Sequence, residues 1–133
     1  MTLRTVFLGR LAGLYCLVLA VAMLLRRQET LDLFTAFVRS PVAIYLTGIF
    51  ALILGLAMIL GHNYWSGGAL RVIVTLVGWA ALVKSMLLLL LPAGMIAMYL
   101  QVFHLARLYY GYTALFFALG AYLTYAGFRA KAE

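Results

Sequence analysis

Long apolar runs separated by short polar segments dominate the pattern of this chain. Each run has about 20 residues, the length at which an α-helix crosses a hydrocarbon core of roughly 30 Å. The pattern predicts an all-α polytopic membrane protein, with a single transmembrane domain over residues 1–133. Its four predicted transmembrane helices are residues 6–25, 41–60, 70–91 and 108–128.

Two of the polar segments predict short amphipathic helices. The first, Glu29–Arg39, has leucine and phenylalanine side chains on one face and polar side chains off it. The second, Met95–Arg107, has a polar line of Gln101, His104 and Arg107 on an otherwise apolar cylinder. Helices of this kind lie in the membrane interface. An even number of spans puts both on one side of the membrane and both termini on the other, while nearly balanced basic residues leave the orientation open.

The two halves of the chain share a plan of span, interfacial helix and span, which predicts an internal repeat with units 1–65 and 66–133. Two spans per unit would relate the units by an axis along the membrane normal. Identities at this offset also arise by chance in a leucine-rich chain, so unrelated halves stay an alternative. The glycines that align at an offset of 65 residues are Gly13 with Gly78, and Gly55 with Gly120.

Composition and charge exclude a water-soluble domain. Hydrophobic residues make up 68% of the chain and charged residues 10%, which is more apolar surface than a soluble chain of this length can bury. The net charge of +7 would suggest nucleic acid in a soluble protein. Here it fits basic residues at the ends of spans, facing anionic lipid headgroups. We therefore expect the lipid bilayer, and no nucleic acid, as a partner.

Lys84 lies within the third apolar run, about two turns from its C-terminal end. A charge at such depth costs roughly 2.5–3.5 kcal/mol on insertion scales, so it usually faces the protein interior or reaches towards the interface. One interpretation is structural, with Lys84 paired to Asp32 or Glu29. The other is functional: together with His104 and Arg107, Lys84 lines a basic pocket for an anion or a lipid headgroup.

Small residues predict a helix-packing seam. Gly9 and Gly13 have the spacing that lets another helix approach closely, and Ala114 and Ala118 offer a weaker version. The seam would serve packing within the chain or association between copies.

Few residues could carry catalysis or hold a cofactor. The chain has three acids and one cysteine, Cys16, which excludes an internal disulfide and a Cys-x-x-Cys pair. His62 and His104 would lie at opposite membrane faces, too far apart to hold one haem iron. We therefore expect no catalytic residue, no metal and no cofactor.

A sequence pattern extends from the loop after the second run to the end of the third. It consists of residues 62–65, residues 75–84 and Pro92. It resembles that of small bacterial membrane proteins of unassigned function, which carry HNxW, then TLxGWxxLxKG, then a proline; here Ser85 replaces the last glycine. The resemblance implies a four-helix protein, with the bacterial inner membrane as its expected location. It also implies that five residues are constrained together, and we call them the constraint set. They are His62, Asn63, Trp65, Trp79 and Lys84.

Two functional hypotheses follow from the sequence. In the first, the protein is a non-catalytic interaction protein, either a homo-oligomer or an accessory subunit of a membrane complex. In the second, it is an oligomeric pore or carrier for an anion or a lipid, and uses the basic pocket.

Overall fold

The computed structural model describes residues 2–102, 104 and 106–131, and this part of the chain folds into six α-helices. Four helices are long, with 21 to 23 residues, and two are short, with 12 and 10 residues. In chain order they are α1 (Leu3–Leu25), α2 (Arg27–Val38), α3 (Pro41–Gly61), α4 (Ala69–Leu90), α5 (Ala93–Val102) and α6 (Tyr109–Arg129). The all-α class is confirmed, and the long helices agree with the four apolar runs to within three residues at each end.

The second amphipathic helix is shorter than predicted. The sequence pattern extended it to Arg107, but α5 ends at Val102. His104 has a φ of 44°, a left-handed conformation that cannot continue a right-handed helix. Arg107 consequently lies in the turn before α6. Two further residues of the predicted segment, Phe103 and Leu105, lie outside the described residues.

Capping residues fix the starts of α1 and α3. The side chain of Thr2 accepts a hydrogen bond from the backbone N–H of Thr5 at 3.4 Å, and that of Ser40 accepts one from Ala43 at 3.2 Å. Pro41 follows Ser40 as the first residue of α3, where the missing N–H would have no partner in the helix. These local signals separate α3 from α2 with only two residues between them.

The helices α1 and α6 pack antiparallel along their length. Near one end of the pair, Nε of Arg10 donates to the carbonyl of Gly127 at 2.9 Å, and its guanidinium lies 4.7 Å from the ring centroid of Phe128. Near the other end, the hydroxyl of Tyr109 donates to the carbonyl of Met23 at 2.6 Å. The first and last helices of the chain therefore form one unit.

Glycines set the close approach of α1 and α6. A Cβ atom on Gly13 would lie 2.5 Å from the backbone nitrogen of Thr124, and one on Gly120 would lie 2.7 Å from that of Leu17. Real Cβ atoms do not approach other atoms this closely. Only glycine at these positions lets the two backbones lie so near each other.

The helices α3 and α4 form a second antiparallel pair with the same kind of contact. A Cβ atom on Gly55 would lie 2.7 Å from the backbone nitrogen of Leu82, and one on Gly78 would lie 3.0 Å from Cβ of Met58 and 3.5 Å from Cγ1 of Ile59. The loop between the helices reverses the chain through two glycines, whose φ angles of 90° and 121° are ones that other residues rarely adopt.

The two helix pairs meet in one apolar cluster near the end that carries the α3–α4 loop. Its buried members come from α3, α4 and α6: Met58, Leu70, Val74 and Leu123. At the other end of the α3–α4 pair, α5 packs Ile96 against Ile44 and Leu88 in a second cluster. The short helices α2 and α5 contact each other there.

Three helices, α1, α3 and α4, are long and apolar enough to cross a membrane. Their outer faces are largely leucine, valine and phenylalanine side chains that remain exposed in the folded chain. This arrangement is consistent with an integral membrane protein. The fourth long helix, α6, is as long as α3 but less apolar, because it contains five tyrosines.

Candidate functional site

A chamber of about 1360 Å³ lies between α2, α3, α4 and α5. Its wall is mainly leucine, phenylalanine and alanine side chains, and Lys84 is the only charged residue among the described residues that line it. The volume exceeds the roughly 300–1,000 Å³ of typical small-molecule pockets. The polar members of the lining are Thr30, Ser40, Thr47, Lys84 and Tyr99.

Lys84 faces the chamber because of its register on α4. It lies 7 and 11 residues after Val77 and Ile73, so all three side chains share one helix face. The two apolar residues pack against the cluster between the helix pairs. Lys84, two turns after Val77 on the same face of α4, borders the chamber.

The ammonium of Lys84 makes no hydrogen bond or ion pair with any residue that the structure describes. Both of its predicted acidic partners have other contacts. Glu29 is paired with Arg26, and Asp32 accepts a hydrogen bond from the amide of Gln28 at 3.2 Å.

The hydroxyl groups of the chamber differ in how they are used. The hydroxyl of Thr30 donates to the carbonyl of Arg26 at 2.8 Å, and the oxygen of Ser40 accepts the capping hydrogen bond of α3. The hydroxyls of Thr47 and Tyr99 form no hydrogen bond with the described part of the chain. Sequence patterns did not single out these two residues, because Thr47 lies in an apolar run and Tyr99 is one of nine tyrosines.

The other basic residues of the predicted pocket line a separate cavity of about 330 Å³. His104, Arg107 and Gln101 border it. The two cavities share Phe34 and Leu100 in their walls. The predicted basic pocket is therefore divided between the chamber, which holds the exposed Lys84, and a second cavity with His104 and Arg107.

His62 lies at the opposite end of the bundle, is 1% exposed and links three helices. Its Nδ1 is 3.3 Å from the hydroxyl of Thr5 at the start of α1, and its Nε2 is 3.3 Å from the carbonyl of Arg71 on α4. A carbonyl only accepts, so Nε2 carries the proton and Nδ1 accepts from Thr5, a tautomer assigned from these partners. The hydroxyl of Thr2 lies 2.7 Å from that of Thr5 and extends this hydrogen-bond network.

Of the rest of the predicted constraint set, Asn63 and Trp65 lie in the loop beside this network, whereas Trp79 and Lys84 lie further along α4. The loop that begins with Asn63 is held to α4 by Thr75, whose hydroxyl contacts the backbone N–H and C=O of Tyr64 at 3.0 and 3.1 Å. Trp65 is exposed beside it, and Trp79 is exposed on α4. These contacts give His62 and its neighbours a role in fixing the loop to the bundle.

The small residues of the predicted seam divide into two groups. Gly9 and Gly13 are buried within the chain, where Gly9 faces Leu70 of α4 and Gly13 faces α6. Ala114 and Ala118 are exposed on the outer side of α6. The glycines thus serve packing inside the chain, and the alanines remain open to a partner or to lipid.

The two histidines are far apart, as the sequence predicted. His62 contacts Thr5, near the start of α1. His104 shortly precedes Tyr109, the first residue of α6, whose hydroxyl bonds to Met23 near the end of α1. Thr5 and Met23 are about 27 Å apart along α1 at 1.5 Å per residue. Within the described residues, no three histidine, cysteine or acidic side chains lie close enough to hold a metal ion.

Comparison with protein-family models, curated proteins and solved structures finds no match to this chain. The resemblance based on the pattern from His62 to Pro92 therefore stays a prediction.

Proposed function

We propose that α6 completes a bundle of four membrane-spanning helices. It has 21 residues, which is about 31 Å of helix, and it pairs with α1 from end to end. Its lower hydropathy comes from tyrosines, and Tyr109 is buried with its hydroxyl bonded to α1. Tyrosines near helix ends suit the membrane interface. In this arrangement both termini lie on one side, and α2 and α5 lie on the other.

The equivalent glycine contacts of the two helix pairs support a repeat with units 1–65 and 66–133. Each residue of one half corresponds to the residue 65 positions away in the other half. The residues that correspond to a contacting pair of α1 and α6 are themselves a contacting pair of α3 and α4. The contact of Gly13 with Thr124 becomes that of Gly78 with Ile59. The short helix α2 likewise becomes α5. Such agreement in packing is harder to obtain by chance than matching residues in a leucine-rich sequence.

We further propose that the protein binds an anionic amphiphile in the chamber, with the apolar tail against the wall and the anionic group at Lys84. The observation that carries this proposal is that Lys84 is the single charge among the described residues of a large apolar lining and bonds to none of the described residues. A buried or lipid-facing ammonium is costly unless an opposite charge accompanies it. The residue that corresponds to Lys84 in the first half is Leu19, so only one half would hold the charged group.

The test compares wild-type protein with Lys84→Met, which keeps the apolar stem and removes the charge. Arg4→Gln is the control, because Arg4 is exposed at the other end of the bundle. Each protein is purified in mild detergent, and the acidic lipids and fatty acids that remain bound are measured by mass spectrometry. We expect Lys84→Met to lose them and the control to retain them. Equal retention by all three proteins would contradict the proposal.

A second candidate function, association with another copy or another membrane subunit, is favoured by the outer face of α6. Ala114 and Ala118 are exposed there, together with Tyr110 and Tyr125, at 65% and 61% exposure. Small residues and hydroxyl groups suit a helix partner better than lipid tails. Cysteine crosslinking at position 118 in native membranes, with Cys16 replaced by alanine, should then give a dimer or an adduct. A monomer alone would argue against it.

The proposed topology predicts which positions label from each side of the membrane. In the Cys16→Ala background, cysteines at Asp32 and Gln101 should react with an impermeant reagent from one side, and a cysteine at Asn63 should react from the other. Reaction of all three from one side would exclude four spans. The bacterial inner membrane stays a prediction from the resemblance alone.

A further inference from the structure

The polar lining of the chamber offers hydrogen-bond donors, and the described residues that line it include no acid. The ammonium of Lys84 has three donors, and the hydroxyls of Thr47 and Tyr99 each add one. None of these groups bonds to a described residue. Asp32 and Glu29 do not line the chamber. The site is therefore suited to a ligand group that accepts hydrogen bonds and brings no donor of its own.

An ionised carboxylate is such a group, because its two oxygens only accept hydrogen bonds. Choline and ethanolamine headgroups carry a positive charge, and a glycerol headgroup carries hydroxyl donors. Within the chamber these would find no acidic partner and would repel Lys84 or lose hydrogen bonds to water, which is costly in an apolar site. The donor set thus disfavours the common zwitterionic and polyol lipids.

Charge balance separates a carboxylate from a phosphate monoester. One ammonium neutralises one negative charge, and Lys84 is the only charged residue of the described lining. A phosphate monoester carries about −1.5 to −2 at neutral pH, and proteins usually hold it with arginine forks or with several donors. Lys84 is a single point charge about 9 Å before the end of α4, a position along the helix that suits a small headgroup.

We propose, building on the proposed function, that the ligand of the chamber is a long-chain carboxylate, with its carboxylate at Lys84 and the hydroxyls of Thr47 and Tyr99 as further donors. An amphiphile that is already dissolved in the bilayer gains little from burying its tail in another apolar site. Recognition therefore depends on the headgroup. Removing the negative charge of the ligand should weaken binding as much as removing the positive charge of Lys84.

The experiment measures binding of radiolabelled palmitate to the protein in phosphatidylcholine nanodiscs. The unlabelled competitors are palmitate, methyl palmitate, palmitoyl lysophosphatidate and phosphatidylglycerol. We expect palmitate to compete at least about tenfold better than its methyl ester, from the typical strength of a hydrogen bond to a charged group. Lys84→Met should bind palmitate at least about tenfold more weakly, with no preference for the acid over the ester in the binding that remains, and in the Arg4→Gln control the preference should persist. Thr47→Val should weaken the binding of palmitate by a few-fold and leave the binding of the methyl ester unchanged.

The outcomes separate this inference from the function on which it rests. If lysophosphatidate or phosphatidylglycerol competes as well as palmitate does, the carboxylate assignment is wrong and the chamber remains a site for anionic lipid. If Lys84→Met keeps the preference for the acid over the ester, the assignment to Lys84 is wrong. If no anionic probe binds the wild-type protein, both the inference and the proposed function are wrong.

Discussion

Replacing Gly120 by alanine tests whether α1 and α6 approach as closely as the structure indicates. The new Cβ atom would lie 2.7 Å from the backbone nitrogen of Leu17. To reach ordinary contact at 3.4 Å, the helices must separate locally by about 0.7 Å. A gap of this size forfeits roughly a quarter to a half of the dispersion energy of the contacts that it opens. Overpacking of this kind costs about 1–3 kcal/mol.

Gly111→Ala is the matched control on the same helix. A Cβ atom on Gly111 meets nothing within 4 Å, so this change carries only the gain in helix propensity, up to about 1 kcal/mol. Gly120→Ala has at least as large a gain, because Gly120 lies in the interior of α6 and Gly111 in its first turn, so the difference between the two variants gives a lower bound on the packing cost. We expect Gly120→Ala to be less stable than Gly111→Ala by about 1–3 kcal/mol.

The assay is reversible unfolding in mixed micelles with increasing SDS, followed by far-ultraviolet circular dichroism. Equal stability of the two variants would refute the close approach of α1 and α6, and with it the glycine contacts on which the repeat depends. Gly55→Ala extends the test to the other helix pair, where the Cβ atom would lie 2.7 Å from the nitrogen of Leu82. The proposed repeat predicts a similar cost there.

Three further predictions use the same unfolding assay. His62→Ala should cost about 1–3 kcal/mol, because it removes the partner that a buried imidazole gives to the hydroxyl of Thr5 and to the carbonyl of Arg71; wild-type stability would contradict the network. Tyr109→Phe should cost about 0.5–1.5 kcal/mol through loss of the hydrogen bond to the carbonyl of Met23. Unchanged stability would indicate that the hydroxyl lies in water or lipid instead. Gly67→Ala should cost about 1–2 kcal/mol, since φ is 90° there; a stable variant would show that the loop adopts another conformation.

The helices could be predicted from the sequence because their signals are local. An apolar run of about 20 residues predicts a spanning helix wherever it occurs. Ser40, Pro41 and Pro92 mark helix boundaries by their own chemistry. The prediction was wrong at the end of α5, where the apolar and polar spacing continued through His104. A left-handed residue at that position leaves no trace in the periodicity, because one φ angle does not alter the spacing of apolar and polar residues along the sequence.

The candidate site could be predicted only in part. Lys84 was identifiable from the sequence, because a charge within an apolar run is unusual. Its surroundings were not, since the chamber is built from residues of four helices, including the hydroxyl of Thr47. The association of Lys84 with His104 and Arg107 followed from their shared membrane side. The side walls formed by Phe34 and Leu100 separate them into two cavities, which a one-dimensional pattern cannot show.

The sequence by itself determined which segments form helices and how apolar their surroundings must be, because the length and hydropathy of a helix depend only on consecutive residues. The tertiary structure decided which helices pair. Every glycine of the chain could in principle permit a close approach, but only the register of two antiparallel helices brings Gly120 against Leu17 and Gly55 against Leu82. The same pairing buries His62 between three helices and leaves Lys84 in an open chamber. These outcomes depend on contacts between residues distant in the chain, which is why folding, and not the local pattern, fixes them.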